Sequence, residues 1–363
     1  MRNAIVTAAD SNYLPAACCA LLSCIGDGEI EAETKLFVLA FDVSAGAAKT
    51  AEAFLRSRGA SAEIIVLSAD HFGKFRVDGY VSASTYSRLL LPEFFDDRWD
   101  RLLYIDADMR VMTPLQPLLE ADLRGRPVGA VHDYLQYLIY GIEDRQRRLG
   151  LRSDGYFNAG LICFDWRATI ASGLLRQARA FAIANPHLCK SHDQDALNKA
   201  FEGAWTPLDP RWNFMIVAVP EEVFRLDYPS RFSPYVAHFA GSIKPWMANF
   251  PARYESHRAW YRDLLLDSPW PHFAAQLNAP VVEEPALPLA NRLAGRLTAQ
   301  LRRFRTTLKS LSPARTAAAP PNRYARTPSP AGVWKDGEAN PELARLFEQM
   351  VGEAASAGTE IVL

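Results

Sequence analysis

Residues 102–111 read LLYIDADMRV, a short apolar run that stops at Asp106, with Asp108 two positions further on. A run of this kind, ending in charge, predicts a buried strand over 101–106. In a strand, positions i and i+2 face the same side, so the two carboxylates converge at its frayed end. Carboxylates that share a site repel unless one is protonated or a cation lies between them. Read as a metal site, the pair suits a hard divalent ion, Mg²⁺ or Mn²⁺, with positions left open for substrate phosphates. Read as a turn, one aspartate caps a helix and the other is solvated. The pair alone does not choose between these.

Working outward, further apolar runs predict strands at 3–8, 35–41, 62–67, 127–132, 158–166 and 235–239. Helices are expected at 14–25, 46–58, 83–91 and 170–184, and from 193 onward. Short apolar strands alternating with helices specify an α/β fold with a mostly parallel central sheet covered on both faces. Ligands of such sheets bind beyond the carboxyl ends of the strands, where Asp106 falls. Asp10, Asn12 and Tyr13 follow the first strand in the same way. They either cap the helix at 14–25 or present an aromatic ring and polar groups to a nucleobase. Late in the chain, His238-Phe-Ala-Gly-Ser-Ile-Lys244 joins a histidine to Gly241 and Lys244. Those residue types allow close backbone approach and supply a point charge for a diphosphate.

The bulk numbers narrow the setting. The chain has 363 residues and a formal net charge of −1, which removes any global signal for nucleic acid. Its five cysteines form no CxxC pair, and an odd number argues against a disulfide framework. The start, MRNAIVTAAD, lacks an apolar stretch behind a basic segment, and no run approaches the ~20 apolar residues of a membrane span. A cytoplasmic protein is expected. One globular domain is expected over 1–270, then a proline-rich linker at 271–288. Residues 289–311 predict a helix with Leu289, Leu293, Leu297, Leu301, Phe304, Leu308 and Leu311 on one face. Arg292, Arg296, Arg302, Arg303, Arg305 and Lys309 lie opposite. Such a helix suits peripheral docking on the inner face of the cytoplasmic membrane, or packing on a partner. Residues 312–363 are rich in Pro, Ala and Arg and are expected to be largely disordered, with a short helix near 341–351.

Seven motifs in order, AADSNY (8–13), STYSRLLLP (84–92), LYIDADMRV (103–111), YFNAGLICFD (156–165), HDQDALN (192–198), RWNF (211–214) and HFAGSIKPW (238–246), resemble one family. It is the retaining sugar-nucleotide glycosyltransferases related to glycogenin and to the bacterial galactosyl- and glucosyltransferases of lipopolysaccharide synthesis, glycosyltransferase family 8. The resemblance spans roughly residues 3–250 and implies a Rossmann-like nucleotide-diphospho-sugar transferase fold of the GT-A type. It implies that Asp106, Asp108 and His238 hold Mn²⁺ (or Mg²⁺) on the diphosphate of a UDP-sugar. Asp10, Asn12 and Tyr13 would bind uridine, with Ala8 and Ala107 of the same motifs beside the nucleotide. Arg88 would contact the donor, Asp133 would lie near the sugar hydroxyls, and Gly241 and Lys244 would grip the diphosphate. Asn158, Asp193 and Gln194 would surround the donor sugar as the catalytic set.

The implied reaction moves glucose or galactose to a hydroxyl of a glycan, such as a lipid-linked lipopolysaccharide core, with retention. A double displacement needs a carboxylate nucleophile. The matching position is Gln194, an amide, which favours front-face attack. Two other readings are carried alongside. One is a Mg²⁺-dependent phosphohydrolase that also places DxD after a strand, although Arg110 stands where that pattern has Thr or Val. The other is a UDP-sugar-binding or membrane-docked scaffold without turnover.

Overall fold

The computed structural model describes residues 1–26, 33–73, 75, 83–133, 143–153, 155–216 and 234–279. The expected helix at 289–311 and the tail at 312–363 lie outside the described residues.

The chain opens with β1 (Asn3–Asp10), which is buried almost throughout. Ile5 and Ala9 enter the core on one face of the sheet, while Ala4, Val6 and Ala8 enter the core on the other. This period-two split is why the strand reads as a continuous apolar run. Helix α1 (Leu14–Ile25) begins at a proline, where the missing N–H costs nothing, and ends at Gly26 with φ +58. β2 (Thr34–Phe41) leads to α2 (Ala45–Ser57), whose first turn is capped by Ser44 Oγ accepting the Ala47 N–H at 3.1 Å. β3 (Ala62–Leu67) follows.

The segment expected as a helix at 83–91 is a 3₁₀ helix over Ala83–Leu90, followed by one α-turn, α3 (Leu91–Phe94). Pro92 has no N–H to continue a preceding helix, and it sits instead in the first turn of the next one. β4 (Arg101–Ile105) ends one residue before Asp106, and β5 (Met109–Val111) begins one residue after Asp108. Next come α4 (Gln116–Leu119), β6 (Val128–His132), α5 (Glu143–Leu149) and β7 (Phe157–Asp165). The helix expected at 170–184 is two helices, α6 (Trp166–Ser172) and α7 (Leu174–Ala184). They are split at Gly173, which takes a left-handed φ of +65. α8 (His192–Ala200), β8 (Trp205–Pro207), β9 (Phe214–Met215) and β10 (Val236–His238) complete the frame.

Two sheets result. The larger has the order β3-β2-β1-β4-β7-β6-β8, and the smaller β5-β10-β9. β1 pairs in parallel with both β2 and β4, and β6 with β8. β7 runs antiparallel to both its neighbours. The chain therefore leaves β1 toward β2 on one side and reaches β4 on the other. The carboxyl ends of β1 and β4 flank the kind of switch point where open α/β sheets bind ligands. The short strands β5, β8 and β9 escape a periodicity reading because two or three residues cannot show a period.

Helix Glu255–Leu265 and helix Pro271–Asn278 pack behind the smaller sheet. Phe273 and Leu277 are buried in the same core as α1. Among the described residues, packed helix thus continues to Asn278, past the expected boundary at 270. Pro271 starts a helix there instead of opening a linker.

Candidate active site

Asp106 and Asp108 lie in the tight turn by which the chain leaves the larger sheet at β4 and enters the smaller at β5. The pairing of β4 with β7 continues one residue further, as the Asp106 N–H donates to Gly160 O at 2.8 Å. On the other side β10 pairs antiparallel with β5, setting His238 opposite Met109. The Phe239 N–H donates to Asp108 O at 3.0 Å. These two ladders bring residues far apart in sequence together. His238 Nε2 is 3.4 Å from Asp108 Oδ1 and 3.9 Å from Asp106 Oδ2. One ligand atom from each of Asp106, Asp108 and His238 lies within 4.8 Å of the others.

Two carboxylates and an imidazole make a donor set that fits a small divalent ion. Ligand atoms about 2.0–2.2 Å from such an ion sit at most ~4.4 Å apart, and both His238–carboxylate spacings already fall inside that limit. A three-residue set also leaves positions open. The packing is consistent with a reserved space. A Cβ on Gly160 would fall 2.5 Å from His238 Cε1, 2.8 Å from Met109 Cε and 2.9 Å from Asp106 Oδ2. Only hydrogen fits there.

Two cations flank the carboxylates. Arg88, from the end of the 3₁₀ helix, is buried over the Tyr104 ring at 4.5 Å. Its guanidinium pairs with Asp106 Oδ1 at 2.8 Å and with Asp193 Oδ2 at 2.8 Å. Lys244 is buried, with its ammonium on Asp108 Oδ2, and also donates to Phe239 O at 2.8 Å. Burial raises the Asp106 pKa, against the pull of Arg88. Burial would raise Asp108 too, but Lys244 and His238 outweigh it and hold that carboxyl well below the usual range. Burial pushes Asp193 up to about 7, with Arg88 opposing.

Of the residues expected around the donor sugar, Asn158, Gln194 and Asp133 form one hydrogen-bonded cluster on β7, α8 and the end of β6, while Asp193 pairs with Arg88 instead. Asn158 Nδ2 donates to Asp133 Oδ2 at 3.3 Å, and Gln194 Nε2 donates to the same oxygen at 2.8 Å. Gln194 Oε1 accepts the Ala159 N–H at 3.0 Å, and its Nε2 also reaches Tyr156 Oη at 3.3 Å. The amide is thus engaged at both ends. Asp195, whose side chain is 0% exposed, takes the Tyr156 O–H at 2.7 Å, the Ser191 N–H at 2.8 Å and Arg148 at 2.9 Å. Arg145 lies 3.5 Å away. It is therefore both the carboxylate at the start of α8 and the partner of a buried arginine pair, which a helix-start reading catches only in part.

At the lip, the Asp10 carboxylate accepts the N–H groups of Asn12 and Tyr13 at 3.0 Å each, so it closes the turn before α1, whose N-cap residue is Tyr13, with no side-chain cap bond. Asn12 is exposed, and half-buried Tyr13 meets Trp246 edge-on at 5.6 Å. Ala8 and Ala107 are buried. Gly241 has φ +98 in the exposed loop between His238 and Lys244, a conformation that favours glycine. Sequence reasoning named the motifs containing Gly160, Asn213 and Tyr156 but gave these residues no task. Gly160 carries a signal in hindsight, a glycine inside a strand marking close approach. Asn213 and Tyr156 carry none, because their importance lies in partners distant in sequence.

A family model described as Glycosyl transferase family 8 matches residues 4–249. General stress protein A of Bacillus subtilis (strain 168) is 26% identical over 256 residues, covering 68% of this chain and 87% of that protein. Lipopolysaccharide 1,2-glucosyltransferase of Escherichia coli (strain K12) is 27% identical over 199 residues, covering 52% of this chain and 56% of that one. Among solved structures, the galactosyltransferase LgtC in complex with donor and acceptor sugar analogues superimposes with a TM-score of 0.59. It is 24% identical and covers 74% of this chain and 99% of that chain, a likeness of fold. The architecture is the GT-A type expected from the sequence. With the match spanning most of its length, the chain belongs to glycosyl transferase family 8 and is a glycosyltransferase.

Proposed function

We propose that this glycosyltransferase moves a hexose, glucose or galactose, from a UDP-sugar to a hydroxyl of a glycan acceptor, with Mn²⁺ (or Mg²⁺) held by Asp106, Asp108 and His238. The observation that carries the reading is the convergence of those three side chains at the carboxyl end of β4, with Arg88 and Lys244 beside them. The names of the lipopolysaccharide glucosyl- and galactosyltransferases among its relatives support a hexose donor. An imidazole in the set favours Mn²⁺ over Mg²⁺.

Transfer requires the sugar–phosphate bond to break with charge accumulating on the leaving diphosphate. A bound divalent ion supplies Lewis acidity there. Lys244 adds a fixed ammonium on the same side, at an end of the site already desolvated, where such a charge counts most. Asp10, Asn12 and Tyr13 at the lip receive the uridine, with Tyr13 as the stacking ring and Ala8 and Ala107 beside it. Gly241 lets the loop backbone approach the diphosphate. Arg88 ties the donor end of the site to Asp193. Asn158, Asp133 and Gln194 surround the sugar and orient its hydroxyls. An amide at Gln194 with both ends engaged is no nucleophile, which favours attack from the face the diphosphate leaves, with retention. The leaving phosphate then takes the acceptor proton. Nothing in the described residues favours the phosphohydrolase or scaffold readings over this one.

Calorimetry with UDP, with and without Mn²⁺, tests the proposal. Mn²⁺-dependent UDP binding is expected, lost in Asp106→Asn and Asp108→Asn proteins that keep the wild-type circular dichroism. Unchanged UDP affinity with Mn²⁺ in either variant would falsify the metal assignment. A panel of UDP-glucose, UDP-galactose and UDP-N-acetylglucosamine then names the donor. Docking of 289–311 on anionic membranes would suit a lipid-linked acceptor. Vesicle sedimentation of the full chain, with a chain ending at 279 as control, tests it.

A further inference from the structure

Asn213 is fully buried and stands between His238 and Asn158. Its Oδ1 is 2.8 Å from His238 Nδ1, and its Nδ2 is 2.9 Å from Asn158 Oδ1. The direction of this chain of hydrogen bonds follows from its far end. Asn158 Oδ1 also takes the backbone N–H of Gly160 at 2.9 Å, and a backbone N–H can only donate. Asn158 Nδ2 faces Asp133 Oδ2 at 3.3 Å, and a carboxylate accepts. Both neighbours orient the Asn158 amide the same way, with its oxygen toward Asn213. Asn213 must then turn its NH₂ to Asn158 and its carbonyl to His238. A carbonyl oxygen accepts, so His238 Nδ1 carries the proton, and in the neutral ring Nε2 then keeps its lone pair, on the side of Asp106 and Asp108.

We infer that Asn213 is a positioning residue that holds His238 in the Nδ1–H tautomer, the form able to ligate a cation through Nε2. The direction is imposed through Asn158 by Asp133 and the Gly160 backbone. The inference rests on the metal reading of the site and adds what that reading lacks, a reason for the histidine to be ready. Free imidazole side chains prefer the Nε2–H form. In this site that form would also gain from donating toward Asp108 Oδ1, 3.4 Å away, and so would mask the ligand atom. Outer partners that fix the tautomer of a ligating histidine affect metal affinity about 10–100-fold. The same chain joins the sugar end of the site, Asp133 and Asn158, to the metal end.

The test is long-range ¹H–¹⁵N NMR of histidine-labelled, metal-free protein at pH 8, with the His238 signal assigned from a His238→Gln protein. The wild type should show a protonated Nδ1 and an unprotonated Nε2 at His238. Asn213→Ala should shift this histidine toward the Nε2–H form and weaken Mn²⁺ binding to the UDP-loaded protein about 10–100-fold. An Nε2–H tautomer in the wild type overturns the inference, as does an Asn213→Ala protein that keeps Nδ1–H. If Asn213→Ala does not fold, the wild-type spectrum alone decides. An Nδ1–H tautomer in a wild type that binds no Mn²⁺ would sink the metal reading while upholding the tautomer assignment.

Discussion

Helices α1 and α8 are both packed into the interior, and their sequences are opposites. α1, LPAACCALLSCI, buries Leu14 through Cys24 and spends that burial on small apolar side chains. α8, HDQDALNKA, buries Asp193, Asp195 and Asn198 beside Ala196 and Leu197. Burying apolar groups is favourable in itself, so α1 tolerates any neighbour of the right shape. Burying charge is costly unless each group finds its partner, so α8 is possible only because Arg88, Arg145, Arg148, Tyr156 and the β7 backbone are already in place. One helix holds the fold together, and the other is held by it. The division is not complete. Ser23 in α1 accepts the Val111 N–H at 2.9 Å and so pins β5, the strand that follows Asp108.

The largest test of this contrast is Asp195→Asn. It leaves Arg145 and Arg148 facing a neutral group inside the protein, and the loss of one partner from a buried pair costs about 3–5 kcal/mol. A denaturant titration that moves by less than about 1 kcal/mol would erase the distinction between the helices.

Next in size is pH. His257 packs edge-on against Phe239 at 5.2 Å, and its Nδ1 is 3.3 Å from Arg110. Burial, with Arg110 adding to it, lowers its pKa to about 4. Between that value and the ~6.5 of an unfolded chain, the unfolded state binds more protons than the folded one. This group's contribution is therefore full above about 6.5 and is lost as pH falls toward about 4, on the order of 2–3 kcal/mol. His257→Gln should flatten that part of the profile, read from urea midpoints at pH 7 and pH 4.5. An unchanged slope would mean that the α1 side of the molecule carries no such charge sensitivity.

Gly160→Ala comes third for stability, about 1–3 kcal/mol of overpacking, but first for the site. The new methyl must push His238 or Asp106 aside. Mn²⁺-dependent UDP affinity should fall at least ~10-fold, the lower end of what disturbing a ligand shell costs. Gly46→Ala, where a Cβ meets only Ser44 Oγ at 3.9 Å, is the matched control and should change neither binding nor fold.

The smallest effect belongs to α1. Cys19→Ala should cost about 1 kcal/mol and leave UDP binding intact. In the native protein the Cys19 thiol, pushed far up by burial, should resist iodoacetamide at pH 8 until denaturant is added. Rapid native labelling of Cys19, seen by mass spectrometry, would show that α1 opens more readily than its packing implies.

The longer strands, the parallel core of the larger sheet and the seven motifs were legible in the linear chain, whereas β5, β8 and β9 were not. Apolar runs such as NAIVTAAD and RLLYI carry their burial in their own composition, and Asp106, Asp108, His238 and Lys244 announce themselves by residue type. The 3₁₀ turn at Ala83–Leu90, the break at Gly173 and the helix at Pro271–Asn278 were not, because each depends on one backbone position or on packing that a run of residues does not encode. Nor could the chain reveal that Gly160 is small for the sake of His238, that Asp195 serves two arginines, or that Asn213 faces both a histidine and a second asparagine. Periodicity and composition report what a segment prefers by itself. Distances of 2.8 to 3.9 Å between residues 25 to 132 positions apart exist only once the two sheets have paired, and at this site those distances set charge and hydrogen-bond direction.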